Sequence, residues 1–181
     1  GFNIYNAANN HAMDYSHNGL LATMRYLHQY GIRFAGIGEN LADASAPVYM
    51  DCENGRVALI AATSSFHEAW RAGNQRGDMQ GRPGVNPLRF QTKLHVTAEE
   101  LAALRKIAEE TQIDAQQLLD IKEGFAVETP GAFRFGGHEF VESEAPGKET
   151  IPHPADLKRI TASIQEAKSQ ADCVMVSIHS H

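Results

Sequence analysis

A chain of 181 residues with 43% apolar and 21% charged side chains is long enough for one domain with a buried core, and its composition excludes disordered and disulfide-framework proteins. A net charge of −6 without any cluster of Lys and Arg argues against a nucleic-acid partner. The longest apolar run, Val57 to Ala62, is far shorter than the ~20 residues that span a bilayer, so no membrane segment is visible. Cys52 and Cys173 lie in unrelated contexts, and a disulfide and two thiols both stay open.

The chain opens at Gly1 directly inside an apolar stretch and closes on a strand-like run ending in His181. That pattern is expected of an interior piece of a longer protein, because termini usually lie in exposed polar tails. Phe2 to Ala8 reads as a buried strand, followed by the polar turn Asn9-Asn10-His11. Leu20, Leu21, Met24 and Leu27 recur at helical spacing, and the helix should stop at Gly31. Ile32 to Ala35 reads as a short strand. Val48 to Glu53 and Arg56 to Ala62 flank Asn54-Gly55, which predicts a β-hairpin with a type I′ turn. Ser64 to Arg89 is loop-like, and loops this long inside a domain tend to be functional.

Thr97 with Glu100 forms a capping box ahead of Leu101, Leu104, Ile107 and Ala108, and Asp114 with Gln117 starts a second helix that ends at Gly124. This helical pair reads as an insertion, with loop-rich and helical chain over about 66–150 in an otherwise single α/β domain. Residues 125–147 read as Gly-rich and partly extended. Pro154 begins a helix with Leu157, Ile160, Ile164 and Ala167 on one face, leading into a last strand. The alternation of strands and helices around one hairpin predicts an α/β layered fold.

Ligands collect at the C-terminal ends of strands in α/β sheets. Two such ends carry chemistry. Asn9-Asn10-His11 with Asp14 gathers an amide, an imidazole and a carboxylate in a strand-to-helix turn. His179-Ser180-His181 places two imidazoles on one side of an extended chain, because strand side chains alternate with period two. Imidazole suits Zn, Fe, Mn or Ni, and an amide oxygen suits a harder ion, so a mixed site is chemically reasonable. The plain alternative for the Asn-rich turn is turn and N-cap chemistry. His28, His67, His95, His138 and His153 read as helix-face, capping or solvated residues, and His17 as an outer neighbour of the first turn. Arg82 and Arg89, in the Gly- and Pro-rich loop, are candidates for an anionic substrate, since guanidinium matches carboxylate and phosphate alike.

The segments Gly1 to Tyr15, Gly19-Leu20-Leu21, Gly31 to Gly38, Gly81 to Arg89 and Asp172 to His181 resemble the bacterial capsule-synthesis CapA family, associated with poly-γ-glutamate. The resemblance covers roughly residues 1–65 and 154–181 and is thin between them. It implies a calcineurin-like metallophosphatase fold, an α/β/β/α layered sandwich. By that resemblance Asn10 is a metal-binding amide, His11 a catalytic imidazole oriented by Asp14, and His179 a metal ligand. His181 would be a second ligand or a substrate contact; many members carry Trp-Gly after that first His, so Ser180-His181 departs from the common form. The family pattern also places an Asp-bearing motif before this stretch and a His-containing motif after it. The segment alone is therefore expected to be inactive, and the full-length protein to hold two divalent ions, Mn, Zn or Fe.

The resulting expectation is a metal-dependent hydrolase of capsule biosynthesis acting on an anionic phosphoester or polyglutamate-like substrate. Capsule-synthesis proteins would be its partners and the cell envelope its place. The rival readings are a non-catalytic polymer-binding or capsule-assembly component and, last, a TIM-barrel amidohydrolase. In the last, His-x-His normally ends the first barrel strand, whereas here it follows several elements and a hairpin.

Overall fold

The computed structural model describes residues 2–181 and shows a mixed α/β protein, as the alternating pattern predicts. Two compact units are present, one formed by the chain up to Arg89 together with Pro152–His181 and the other by Phe90–Ile151.

In the first unit, β1 (Ile4–Asn6) leads through a turn into α1 (Ser16–Gln29) and β2 (Arg33–Ala35). β1 and β2 pair in parallel, Asn6 opposite Ala35. The buried strand expected over Phe2 to Ala8 is shorter and half exposed: Phe2 is exposed, and only alternate residues of β1 face inward. A strand in a two-stranded sheet has only one covered face, and here Ile4 packs on that face against the buried Ala8, Ala35, Leu59 and Ala61. Next come β3 (Ile37–Gly38), the short α2 (Leu41–Ser45), β4 (Val48–Cys52) and β5 (Gly55–Thr63). The apolar run Val57 to Ala62 lies within β5, whose last six residues are buried, as expected of a strand covered on both faces.

The predicted hairpin forms, but its turn differs. Cys52 pairs with Gly55, so Glu53 and Asn54 are the loop residues. Neither has positive φ, and the left-handed residue is Gly55 at +136°. A type I′ turn needs positive φ at both central positions, so this is not one. The expected loop of residues 64–89 contains a 3₁₀ turn at Glu68–Trp70 and β6 (Gly84–Val85), which pairs antiparallel with β3.

The second unit comprises β7 (Phe90–Val96), α3 (Ala98–Thr111), α4 (Ala115–Glu123), β8 (Phe133–Phe135), β9 (His138–Glu142) and most of β10 (Gly147–Pro152). Both predicted helices are present. Thr97 caps α3 with the reciprocal Glu100 contact, whereas Asp114 makes no side-chain cap and accepts a bond from the Gly136 N–H instead, at 3.1 Å. The helices accompany a four-stranded sheet in the order β10-β7-β9-β8 that the Gly-rich reading did not anticipate. Gly136 and Gly137, at φ +57° and +82°, join β8 to β9. The type I′ geometry expected at Asn54-Gly55 is thus found here.

The chain returns to the first unit through α5 (Pro154–Gln170) and β11 (Cys173–His179). Pro154 stands in the first turn of α5, and Ile160 and Ala167 are buried, while Leu157 at the start of the same stripe is half exposed. β11 pairs in parallel with β5, from Cys173 opposite Val57 to His179 opposite Thr63, in a sheet ordered β11-β5-β4. Among the described residues no helix is long and apolar enough to cross a membrane.

Candidate functional site

Parallel pairing puts the C-terminal ends of β5 and β11 side by side, and β1 is tied to them. The Asn6 side chain donates to the Ser177 hydroxyl of β11 at 2.9 Å and accepts from the Ala8 N–H at 2.7 Å. The turn that follows is shaped by its own asparagine: Asn9 Oδ1 accepts the His11 N–H at 2.8 Å, an Asx turn. It closes on Ser16, a non-glycine residue at φ +62°. Such conformations cost about 1–3 kcal/mol and gather at functional sites.

Five of the seven residues singled out from sequence meet in one connected chain. His11 Nδ1 lies 3.0 Å from Asp14 Oδ2, and His11 Nε2 lies 3.3 Å from Asn10 Nδ2. On the other side of the same amide, Asn10 Oδ1 is 3.0 Å from His179 Nε2, which is 3.2 Å from His181 Nδ1. One proton assignment satisfies the three links from Asp14 to His179. Asp14 accepts from His11 Nδ1–H, His11 Nε2 accepts from the Asn10 amide, and Asn10 Oδ1 accepts from His179 Nε2–H. The amide thereby turns its NH₂ toward His11 and its oxygen toward His179 at the end of β11. His11 remains largely exposed, with its side chain 74% accessible.

Asn10, His179 and His181 are the residues that could hold a divalent ion. Atoms bonded to one ion at ~2.1 Å stand about 3.0–3.4 Å apart, and Asn10 Oδ1, His179 Nε2 and His181 Nδ1 are separated by 3.0 and 3.2 Å in succession. In this proton arrangement His179 Nε2 carries the hydrogen that a metal would replace, so metal and proton compete for one nitrogen. No group of three or more His, Cys, Asp and Glu side chains is arranged to hold a metal among the described residues. A metal held by His179 and His181 here would need the Asn10 amide oxygen as a further donor.

Arg82 and Arg89 make no hydrogen bond to this chain of residues. Arg82 Nε donates to the Arg71 carbonyl at 3.0 Å. Arg89 grips Asp156 through Nε at 2.7 Å and Nη2 at 2.9 Å, and its backbone N–H adds a third bond at 3.0 Å. Arg159 approaches the same carboxylate at 2.7 Å and extends to Asn86 Oδ1 at 3.1 Å. Asp156 is fully buried. Burial pushes its carboxyl pKa up, and the hydrogen bonds from Arg89 and Arg159 more than offset this, holding it well below the usual carboxylate range.

Three polar residues at the site escaped the sequence reading. The Ser64 N–H donates to the His179 carbonyl at 2.9 Å, the His181 N–H donates to Ser65 Oγ at 3.2 Å, and Thr63 Oγ1 donates to the Ser65 carbonyl at 3.1 Å. These contacts fasten the β5 exit to the β11 exit and fix where both imidazoles stand. Their signal was positional: Thr63-Ser64-Ser65 is itself the C-terminal end of a strand.

The family described as bacterial capsule synthesis protein PGA_cap matches residues 1–181. The uncharacterized proteins y4sH and y4uA of Sinorhizobium fredii (strain NBRC 101917 / NGR234) are each 31% identical over 188 residues, covering 100% of this chain and 37% of theirs. The capsule biosynthesis protein CapA of Bacillus anthracis is 35% identical over 66 residues, 36% of this chain and 16% of that protein. The chain thus spans little more than a third of the length of the first two relatives. It belongs to the bacterial capsule synthesis protein family PGA_cap, of the metallophosphatase-like class.

Proposed function

We propose that this capsule-synthesis family member is a metal-dependent hydrolase of an anionic, phosphoester-type substrate, its two-metal site completed in the full-length protein. The observation that carries the reading is the unbroken series Asp14, His11, Asn10, His179, His181. A purely structural turn has no need to align two imidazoles and an amide oxygen at ligand spacing. Asn10, His179 and His181 would hold the metal, which when bound supplies Lewis-acid polarisation of the scissile group. Asp14 fixes the ring of His11, whose Nε2 would exchange its contact with the Asn10 amide for the leaving-group proton. Arg82, which has no carboxylate partner, remains available to an anionic substrate, whereas the Arg89 guanidinium is engaged by Asp156.

The test is hydrolysis of aryl phosphates and of γ-glutamyl polymer by the full-length protein and its variants. His11→Ala should lower kcat by about 10²–10⁴-fold, the usual worth of a general acid. Asp14→Asn should lower it by roughly 10–100-fold, as for partners that orient a working imidazole. Unchanged rates in both variants, or no hydrolysis by the wild type, would favour the polymer-binding reading instead.

A further inference from the structure

The wall beside His11 bears on the substrate. A hollow of about 300 Å³ opens there, bounded by Ala12, Tyr15, Leu20, Thr23 and Ile37 together with His11. No Lys, Arg, Asp or Glu lines it. Its polar groups are largely engaged: the Thr23 hydroxyl donates to the Gly19 carbonyl at 3.0 Å, and Asn9 Oδ1 accepts from the His11 N–H. Tyr15 stands at the hollow 86% exposed, an aromatic face without an apolar cover. Neither His179 nor His181 lines the hollow. His11 borders it, while its ring Nε2 meets Asn10 on the path to His179 and His181.

Resting on the hydrolase reading above, we propose that this hollow receives the leaving group of the substrate and that this group is uncharged with an aromatic or aliphatic body. The substrate is then a phosphoester of a neutral alcohol, not a polymer with a carboxylate on every unit. A carboxylate placed against this wall would lose water and meet no cation in exchange, which is unfavourable. An apolar body would cover the exposed Tyr15 ring favourably, over a floor formed by the buried Leu20 and Ile37. In the reaction the phosphorus to alcohol-oxygen bond breaks, and its electron pair stays with the alcohol oxygen. The oxygen of water bonds to phosphorus, and the two protons of water end one on the alcohol and one on the phosphate.

Two experiments on the full-length protein test this. In the first, Thr23→Trp fills the hollow from the exposed side of α1. It should lower kcat/KM for 1-naphthyl phosphate by about 10-fold, on the scale of hydrophobic pocket discrimination, and leave methyl phosphate within about twofold. Equal effects on the two esters, or none, would overturn the proposal. In the second, 1-naphthol alone is titrated into wild-type protein labelled at methyl groups. It should shift the Leu20 and Ile37 signals, and 1-hydroxy-2-naphthoate should bind about 10-fold more weakly. Naphthol shifts without hydrolysis of any ester would support the hollow and overturn the hydrolase reading. Absent shifts, or equal binding of the naphthoate, would overturn the hollow's assignment whatever the activity.

Discussion

Gly36→Ala puts the packing behind the site turn to a quantitative test. Gly36 has φ +97°, and a Cβ added there would lie 2.6 Å from Ala8 Cβ, 2.9 Å from Ala61 Cβ and 3.1 Å from the Ala8 nitrogen. Ala8 and Ala61 are buried in the same cluster, and the Gly36 carbonyl accepts the Asn86 N–H at 2.8 Å, so the backbone has little room to retreat. Left-handed backbone at an alanine costs roughly 1–2 kcal/mol, and overpacking a buried contact about 1–3 kcal/mol more. The expected destabilisation is therefore about 2–5 kcal/mol, a large part of a typical domain's stability of ~5–15 kcal/mol. Gly31→Ala is the control, because Gly31 has φ +64° and nothing within 4 Å of the added Cβ; it should cost only the backbone part, ~1–2 kcal/mol. Urea denaturation followed by circular dichroism measures both. Equal destabilisation of the two variants would refute the claim that Ala8 and Ala61 leave no space at Gly36.

Two further outcomes follow from named contacts. Asp156→Asn leaves Arg89 and Arg159 facing a neutral amide in a buried place and should cost about 3–5 kcal/mol, as when one partner of a buried ion pair is removed. Because the Asp156 pKa is held below its unfolded value, its contribution is complete above about pH 4 and fades as pH falls below that value. Urea melts from pH 7 to pH 3 should show this acid-side loss in the wild type and a weaker one in the variant; parallel pH profiles would contradict it. Thr97→Ala removes the capping box of α3 and should cost about 1 kcal/mol, read as faster hydrogen exchange at the first-turn amides of α3. Unchanged exchange would show that the cap contributes nothing.

Period and punctuation made much of this fold legible. The unbroken apolar run of β5, the helical spacing from Leu20 to Leu27 and the Thr97 to Glu100 capping box each state their element locally. That the candidate residues cluster was legible because they sit at strand ends, His179 closing β11 and His181 two residues on. Other features escaped for identifiable reasons. The Gly-rich, partly extended pattern of residues 125–147 does not single out Gly136-Gly137, although two glycines between Phe133–Phe135 and His138–Glu142 are what a type I′ hairpin requires. β7 carries a period-two alternation, with Phe90, Thr92, Leu94 and Val96 between Gln91, Lys93 and His95, that is weak beside the capping box and helical spacing directly after it. The bond from Arg89 to Asp156 joins residues 67 apart, and no local pattern announces it. Asn54-Gly55 located the hairpin correctly, but a dipeptide cannot fix register, and the turn formed one residue earlier.

The most direct test of the proposed function is metal content, by elemental mass spectrometry, of full-length protein purified without chelators. The account predicts about two ions of Mn, Zn or Fe per chain. Asn10→Ala and His179→Ala should each lose metal, because they remove donors, whereas Asp14→Ala should keep it, because Asp14 touches only His11 among the site residues. A wild-type protein that stays metal-free after reconstitution with these ions, or a His179→Ala variant that binds as much metal as wild type, would contradict it.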